Sequence, residues 1–362
     1  MKASIVISVS SSKILFDNFL LHLSKYENIN DYEIIMVNDN ADFLFTEESI
    51  REYNFTNVKV INLKNKLGYG EANNLAVDFA SCDFLIFMND DIILKKNCLN
   101  YLLDTLKNDN VGAVQPKLIY PQSNLIQSTG HVFTKYTNAH AFENISPDKD
   151  IVNKSGVRNA LTTAVCATKK DLFLKMGKFD TLYYNAWEGM EYTLKLTIAG
   201  YKCMYEHNAE AYHIRGGARG MYSLDESSQS AIFWSRWSSK IDEDLHKYIL
   251  SQLTEKEFKS NYLIINFSKI TDIHQLLNKC SLQVSNIISY VYNSGLKHVD
   301  FLKCLPTKLC QSELDIIYLT NNFSQVKNNI MWFELRSNYN DLIIDLSGNV
   351  LKVNDILPNP SL

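Results

Sequence analysis

The chain has 362 residues, 46% hydrophobic and 21% charged, enough to bury a full α/β core and carry a second small unit. Its formal net charge of −4 removes any general electrostatic reason to bind nucleic acid or an anionic membrane, so a phosphate site must be local. No apolar run approaches the roughly 20 residues that cross a bilayer, and seven scattered cysteines without a CxxC pair read as reduced core thiols, not a zinc site.

The amino terminus, MKASIVISVSSSKILF, lacks a long apolar region and reads as a first strand and not a signal peptide. KILFDNFLLHLSKY spaces its apolar residues for a helix, and YEIIMVND and NVKVINL read as the next two strands. GEANNLAVDFA reads as a helix behind a glycine-containing turn, and DFLIFMND as a fourth strand. This alternation predicts an α/β fold with a mostly parallel central sheet and helices on both faces.

Farther along, CLNYLLDTLKNDN predicts a helix, and GAVQPKLIYPQSNLIQSTGHVF a strand, a turn and a second extended stretch. The polar region from Thr134 to Asn159 reads as a loop over the site. ALTTAVCATKKDLFLKMGKFD predicts a strand and a helix stopping at Gly177. NAWEGMEYTLKLTIAGYKCMYE predicts a helix ended by Gly200 and another strand. IRGGARGMYSLDESSQS reads as a Gly- and Ser-rich loop, and AIFWSRWSSK opens a helical stretch. The expected organisation is one domain over 1–240, a helical linker over 241–260 and a smaller carboxy-terminal α/β domain over 261–362, ending in a hairpin with a Gly-Asn turn. The aromatic residues of that last domain read as core by default, with an oligomer contact or an acceptor-glycan surface as alternatives.

In such sheets ligands sit outside the carboxyl ends of the strands. Two strands end there in acid, at Asp39 and at Asn89-Asp90-Asp91. Adjacent carboxylates at the end of a buried strand repel unless a cation neutralises them. The triplet is therefore either a solvated strand cap or one side of a dication site bridging nucleotide phosphates. In NKLGYGEANNLAV, Gly68 and Gly70 allow close backbone approach to a phosphate or sugar, or are simply turn glycines. Glu188 and Glu191 lie three apart at a helix start, which suits the macrodipole or a general base. His213 precedes a loop carrying Arg215 and Arg219, an arrangement suited to completing a metal site while guanidinium groups close on a diphosphate.

Taken in order, SIVISVS, EIIMVNDN, NKLGYGEANNLAV, DFLIFMNDDIIL, LTTAVCATKKDLFLKMGKFD, WEGMEYTLKLTIAGYK and AYHIRGG resemble the GT-A fold of family-2 glycosyltransferases, over roughly the first 220 to 240 residues. The resemblance implies an inverting, metal-dependent enzyme that moves a sugar from a nucleoside-diphosphate donor to a hydroxyl of a growing bacterial surface glycan, such as capsule or O-antigen. It assigns Asp39 to the pyrimidine base, and Asn65, Gly68, Tyr69 and Asn73 to the nucleotide-sugar pocket with Asn89, Asp90, Arg215 and Arg219. Asp91 and His213 become the metal ligands, for Mn²⁺ or Mg²⁺. Phe179 and Asp180 match the pair before the acceptor-side loop.

Two departures stand out. ISVSSS replaces the family's usual Pro-Thr-Tyr-Asn, and Gly189 stands where the family places its catalytic Asp. The base then falls to Glu188 or Glu191, or the domain binds nucleotide sugar or partners without turnover. The resemblance implies a UDP-sugar donor, with dTDP-rhamnose as the other candidate, and a glycan or lipid-linked glycan acceptor. It implies a cytoplasmic location that extends to the inner face of the membrane, with Phe233, Trp234 and Trp237 as either a membrane-proximal or a buried aromatic helix.

Overall fold

The computed structural model describes residues 1–39, 42–134, 137–214, 224–245, 262–268, 270–280, 282, 288–291, 301–305, 309–310, 315–326, 329–336, 338 and 340–355. The chain divides into two compact units, Met1–Glu243 and Asp244–Leu362.

The first unit opens with β1 (Ser4–Val9), α1 (Lys13–Tyr26), β2 (Glu33–Asn38), α2 (Glu47–Arg51), β3 (Val58–Asn62), α3 (Tyr69–Val77) and β4 (Phe84–Asn89). It continues with β5 (Ile92–Leu94), α4 (Cys98–Leu106), β6 (Val111–Ile119), β7 (Ile126–Ser128), β8 (His131–Phe133), β9 (Asn138–His140) and β10 (Gly156–Arg158). It ends with β11 (Val165–Lys169), α5 (Lys170–Lys175), α6 (Glu188–Ile198), β12 (Lys202–His213) and α7 (Leu224–Trp237).

The main sheet has the order β10-β12-β6-β11-β4-β1-β2-β3. β4, β1, β2 and β3 are parallel, and β6 and β12 are parallel, while β11 runs antiparallel between β4 and β6. Every residue of β1 is buried, because alternate side chains enter different cores. Ile5, Ile7 and Val9 join Phe16, Leu20 and Leu23 of α1 and Leu99, Leu102 and Leu106 of α4 on one face. Val6 joins Ala72 and Ala76 of α3, Phe173 of α5 and Tyr192 of α6 on the other. An unbroken run such as SIVISV is what a strand covered on both faces requires.

The sequence-based reading of Thr134–Asn159 as one loop needs correction. It contains β9, which pairs with β8, and β10, which pairs with the edge of β12. Three-residue strands such as NAH carry too little apolar periodicity to stand out.

The carboxy-terminal unit contains β13 (Tyr262–Asn266), α8 (Ile273–Lys279), β14 (Ile288–Val291), α9 (Phe301–Cys304), β15 (Asp315–Thr320), α10 (Ile330–Arg336), β16 (Leu342–Asp345) and β17 (Val350–Lys352). Its sheet order is β14-β13-β15-β16-β17, parallel up to β16. β16 and β17 form an antiparallel hairpin, with Gly348 at a φ of +87° before Asn349. Trp332 and Phe333 of α10 pack with Phe301 and Tyr318 in a separate core. The buried Asp341 carboxylate accepts the Ile316 amide at 2.7 Å and pairs with the buried Arg336 guanidinium.

Candidate active site

β4 ends at Asn89, Asp90 and Asp91 form the turn, and β5 resumes with Ile92–Leu94 because it pairs antiparallel with Ala211–His213 of β12. That pairing sets Ile92 opposite His213 and draws the Ile214 amide onto the Asp91 carbonyl at 3.0 Å. A strand from far along the chain thus delivers an imidazole to the acidic turn.

The two aspartates diverge. Asp90 Oδ2 accepts the amides of Ser10 and Ser11, each at 2.9 Å, at the carboxyl end of β1. Burial pushes the Asp90 carboxyl up, against those two amide bonds. Asp91 turns the other way, its Oδ1 lying 3.2 Å from His213 Nε2.

The amide of Gln127 fixes the tautomer of His213. Gln127 Nε2 donates to the His213 carbonyl at 3.3 Å, so Oε1 is left to accept from the ring's Nδ1–H at 2.6 Å. Nε2 then keeps a lone pair beside a carboxylate oxygen. Asp91 Oδ1 is buried and receives no hydrogen bond. Two electron-rich atoms held together in this way fit a shared dication. Among the described residues no cluster of three or more ligating side chains occurs.

A cavity of about 330 Å³ opens at this edge of the sheet. Asn89, Asp90, Asp91, His213, Tyr69 and Glu188 all line it. So do residues the sequence reading did not single out, namely Gln127, His131, Asn138, His140, Thr163, Asn185 and Trp187. Asn185 and Trp187 sit just before Glu188 in the chain, and the others reach the cavity from distant segments.

Asp39, Asn65, Gly68 and Asn73 do not line it. Asp39 accepts the amides of Leu67 at 2.6 Å and Gly68 at 2.9 Å, holding the turn that starts α3. Gly68 has a φ of +84°, and a Cβ there would stand 2.7 Å from the Tyr184 ring, so glycine is required twice over. Asn65 is exposed on the approach to that turn. Asn73 is buried and bonds the Tyr69 carbonyl at 2.7 Å. Tyr69 reaches the cavity wall, its hydroxyl donating to the Thr163 carbonyl at 2.9 Å. Arg215 and Arg219 lie outside the described residues.

The acidic pair on α6 splits. Glu188 is buried in the cavity wall, whereas Glu191 faces α7. Glu191 Oε1 accepts from Trp237 Nε1 at 3.0 Å, Arg236 at 3.2 Å and Tyr183 at 3.3 Å, and its Oε2 pairs with Lys195 at 2.8 Å. A carboxylate committed to three donors and an ion pair acts as a brace. Asp180 shares Arg236 at 2.7 Å. Phe179 is pinned by a reciprocal pair with Asn74, at 2.9 and 3.0 Å.

Gly189 lines the cavity, but no vacancy stands in front of it. A Cβ there would meet Thr163 Oγ1 at 2.0 Å and the rest of that side chain at 2.7–2.8 Å. Trp187, just before α6, is held at a φ of +75°, a conformation that costs a bulky residue on the order of 1–3 kcal/mol and clusters at functional sites. Its ring packs on Phe233 at 5.0 Å and Trp234 at 6.2 Å, so the aromatic end of α7 is an internal support. Among the described residues no helix is long and apolar enough to cross a membrane.

Residues 4–167 match the model of glycosyl transferase family 2. The chain is 22% identical over 247 residues to the O-antigen biosynthesis protein RfbC of Myxococcus xanthus, and 24% identical over 176 residues to the protein y4gI of Sinorhizobium fredii (strain NBRC 101917 / NGR234). These alignments cover 66% and 45% of this chain, which spans about a fifth (19%) of the length of each relative. The structure of GalNAc-T7 with UDP, GalNAc and Mn²⁺ superposes with a TM-score of 0.51 at 16% identity, covering 65% of this chain and 48% of that one. Over residues 4–167 the chain is thus similar in sequence to glycosyl transferase family 2, and the amino-terminal unit has the GT-A fold that it shares with GalNAc-T7.

Proposed function

We propose that this chain is an inverting, metal-dependent glycosyltransferase that moves a sugar from a nucleoside-diphosphate donor to a hydroxyl of a bacterial surface glycan. The observation that carries the reading is the Asp91–His213 pair, two acceptor atoms 3.2 Å apart with the imidazole oriented by Gln127. The relative named for O-antigen biosynthesis supports the acceptor class, and the UDP and Mn²⁺ of the GalNAc-T7 structure are a precedent for the donor class on this fold.

Asp91 and His213 would hold Mn²⁺ or Mg²⁺, which when bound supplies positive charge against the departing diphosphate. Asp90, tied to Ser10 and Ser11, keeps the turn rigid and Asp91 aimed. We assign Asp39 to the nucleobase end through the Leu67–Gly68 turn that it holds. Glu188, in the cavity wall at the start of α6, takes the proton of the attacking hydroxyl as its oxygen forms the new glycosidic bond and the diphosphate leaves from the opposite face. We keep Glu191 out of the reaction, because its four partners lock it against α7.

The test is nucleoside-diphosphate release from a panel of UDP-, dTDP- and GDP-sugars with and without Mn²⁺, alongside calorimetry of Mn²⁺ binding. Release that depends on the ion, lost together with ion binding in Asp91→Ala, is the expected result. Glu188→Gln should lower transfer by ~10²–10⁴ while leaving ion binding intact. Ion-independent release, or full activity in Asp91→Ala, would refute the assignment. One observation favours a second reading, a nucleotide-sugar-binding domain without turnover: an acid at position 189 would clash with Thr163. Donor binding without release under any condition would select it.

A further inference from the structure

We infer that the β8–β9 hairpin and the residues at the start of α6 form an acceptor subsite for a neutral sugar, one without carboxylate or phosphate. The inference rests on the transferase reading and adds the class of acceptor.

The hairpin brings His131 opposite His140, with ring centroids 4.6 Å apart, and both rings line the cavity. Asn138, on the same hairpin, donates its amide toward His131 Nδ1 at 3.4 Å and lies 3.5 Å from Met190 Sδ. Through Met190 the hairpin abuts the turn of α6 that carries Glu188. The attacking hydroxyl must come within hydrogen-bond reach of its proton acceptor, so the acceptor sugar belongs between Glu188 and this hairpin.

The wall's chemistry selects what enters. Among the described lining residues there are three carboxylates, Asp90, Asp91 and Glu188, and no lysine or arginine. A uronic acid or phosphate on the acceptor would meet the Glu188 carboxylate with no lysine or arginine among the described lining residues, whereas the donor's diphosphate would meet the dication proposed at Asp91 and His213. Burial holds the His131 imidazole well below its usual pKa, with His140 beside it adding to the effect, so that ring is neutral. With Nδ1 accepting from Asn138, its Nε2–H is a donor. His140 Nδ1 is 2.9 Å from Ser128 Oγ, which fixes the second ring. A neutral imidazole, an amide and the indole of Trp187 offer hydroxyl partners and an apolar face, which together match a sugar ring.

The experiment compares wild type, Asn138→Ala and His140→Asn with p-nitrophenyl glycosides of galactose, glucose, rhamnose and glucuronic acid. Acceptor-free diphosphate release reports the donor side separately. The expected result is a neutral glycoside as the best acceptor and an acceptor KM raised by about tenfold or more in both variants, with donor KM and acceptor-free release unchanged. A glucuronide used as well as the neutral sugars, or unchanged acceptor KM in both variants, overturns the subsite. If His140→Asn fails to fold by circular dichroism, Asn138→Ala decides alone.

Absence of any diphosphate release in wild type would sink the transferase reading instead. Saturation-transfer NMR with the same glycosides then reads the subsite directly. Contact with a neutral glycoside that is lost in Asn138→Ala supports it, and no contact, or preference for the glucuronide, overturns it.

Discussion

Thr163 and Gly189 share one volume, and that decides what a substitution at either can do. Placing an acid at 189 demands that Thr163 Oγ1 vacate a point 2.0 Å from the new Cβ, in a wall where both residues are buried. Gly189→Asp alone should therefore destabilise the protein by about 1–3 kcal/mol, the usual cost of overpacking, and should not raise activity. Combined with Thr163→Gly, most of that loss should return, as read from urea midpoints of the two variants. Equal midpoints for Gly189→Asp and wild type would show that the wall yields freely. Position 189 stands out in the sequence because the resemblance leads one to expect an acid there, whereas Thr163 does not, since it acts through a contact between residues 26 apart. The same limit hid Gln127 behind His213. That Asp91 and His213 come together was legible because one follows and the other ends a strand, and parallel strands of a sheet end at one edge.

Elements cap one another across the fold, and this too leaves a measurable trace. α4 begins after Asn97, whose φ is +64° and whose side chain caps nothing. Its first amides are taken instead by Glu27 at the end of α1, with Oε1 accepting from Leu99 at 3.1 Å. Burial raises the Glu27 carboxyl from its ordinary 4.5 to about 7, against the pull of the Leu99 and Cys98 amides and of Lys2. Between those values the folded protein binds the extra proton, so this group's contribution to stability falls as pH rises through that window. Glu27→Gln keeps an acceptor for the amides and removes the titration. The stability difference between wild type and Glu27→Gln should shift by on the order of 1–3 kcal/mol in the variant's favour between pH 4.5 and 8. Parallel pH profiles for the two proteins would refute the assignment. Helices and strands with long apolar runs, such as β1, β2, β4 and α4, were readable in the sequence. The five-residue α2 and the three-residue β9 and β10 were not, because their form is set by partners and not by their own periodicity.

At the scale of the molecule, the described cavity belongs to one unit. Every lining residue of the cavity falls between Ser8 and His213, inside Met1–Glu243. The family match ends at residue 167, yet His213 and the α7 brace on Glu191 lie beyond it. A functional amino-terminal fragment must therefore run past α7, and the place of the cut becomes a test. A chain ending at Glu243 keeps Arg236 on Asp180 and Glu191, Trp237 on Glu191, and Gln229 on the Tyr184 amide at 3.0 Å. One ending at residue 223 loses all of these and strips the buried Phe233 from the core it shares with Phe133, Tyr183 and Leu194. Losing a buried phenylalanine side chain alone costs about 3–5 kcal/mol. The 1–243 fragment should unfold cooperatively and bind a nucleotide sugar within about threefold of the full chain, which is less than 1 kcal/mol. The 1–223 fragment should be unfolded or lose several kcal/mol in urea. The Asp244–Leu362 unit has cores built on Trp332, Phe333 and Leu277, so it should contribute a second transition in the full chain that is absent from 1–243. A 1–243 fragment that neither folds nor binds, with full-length protein unfolding in one step, would mean that the two units need each other for stability.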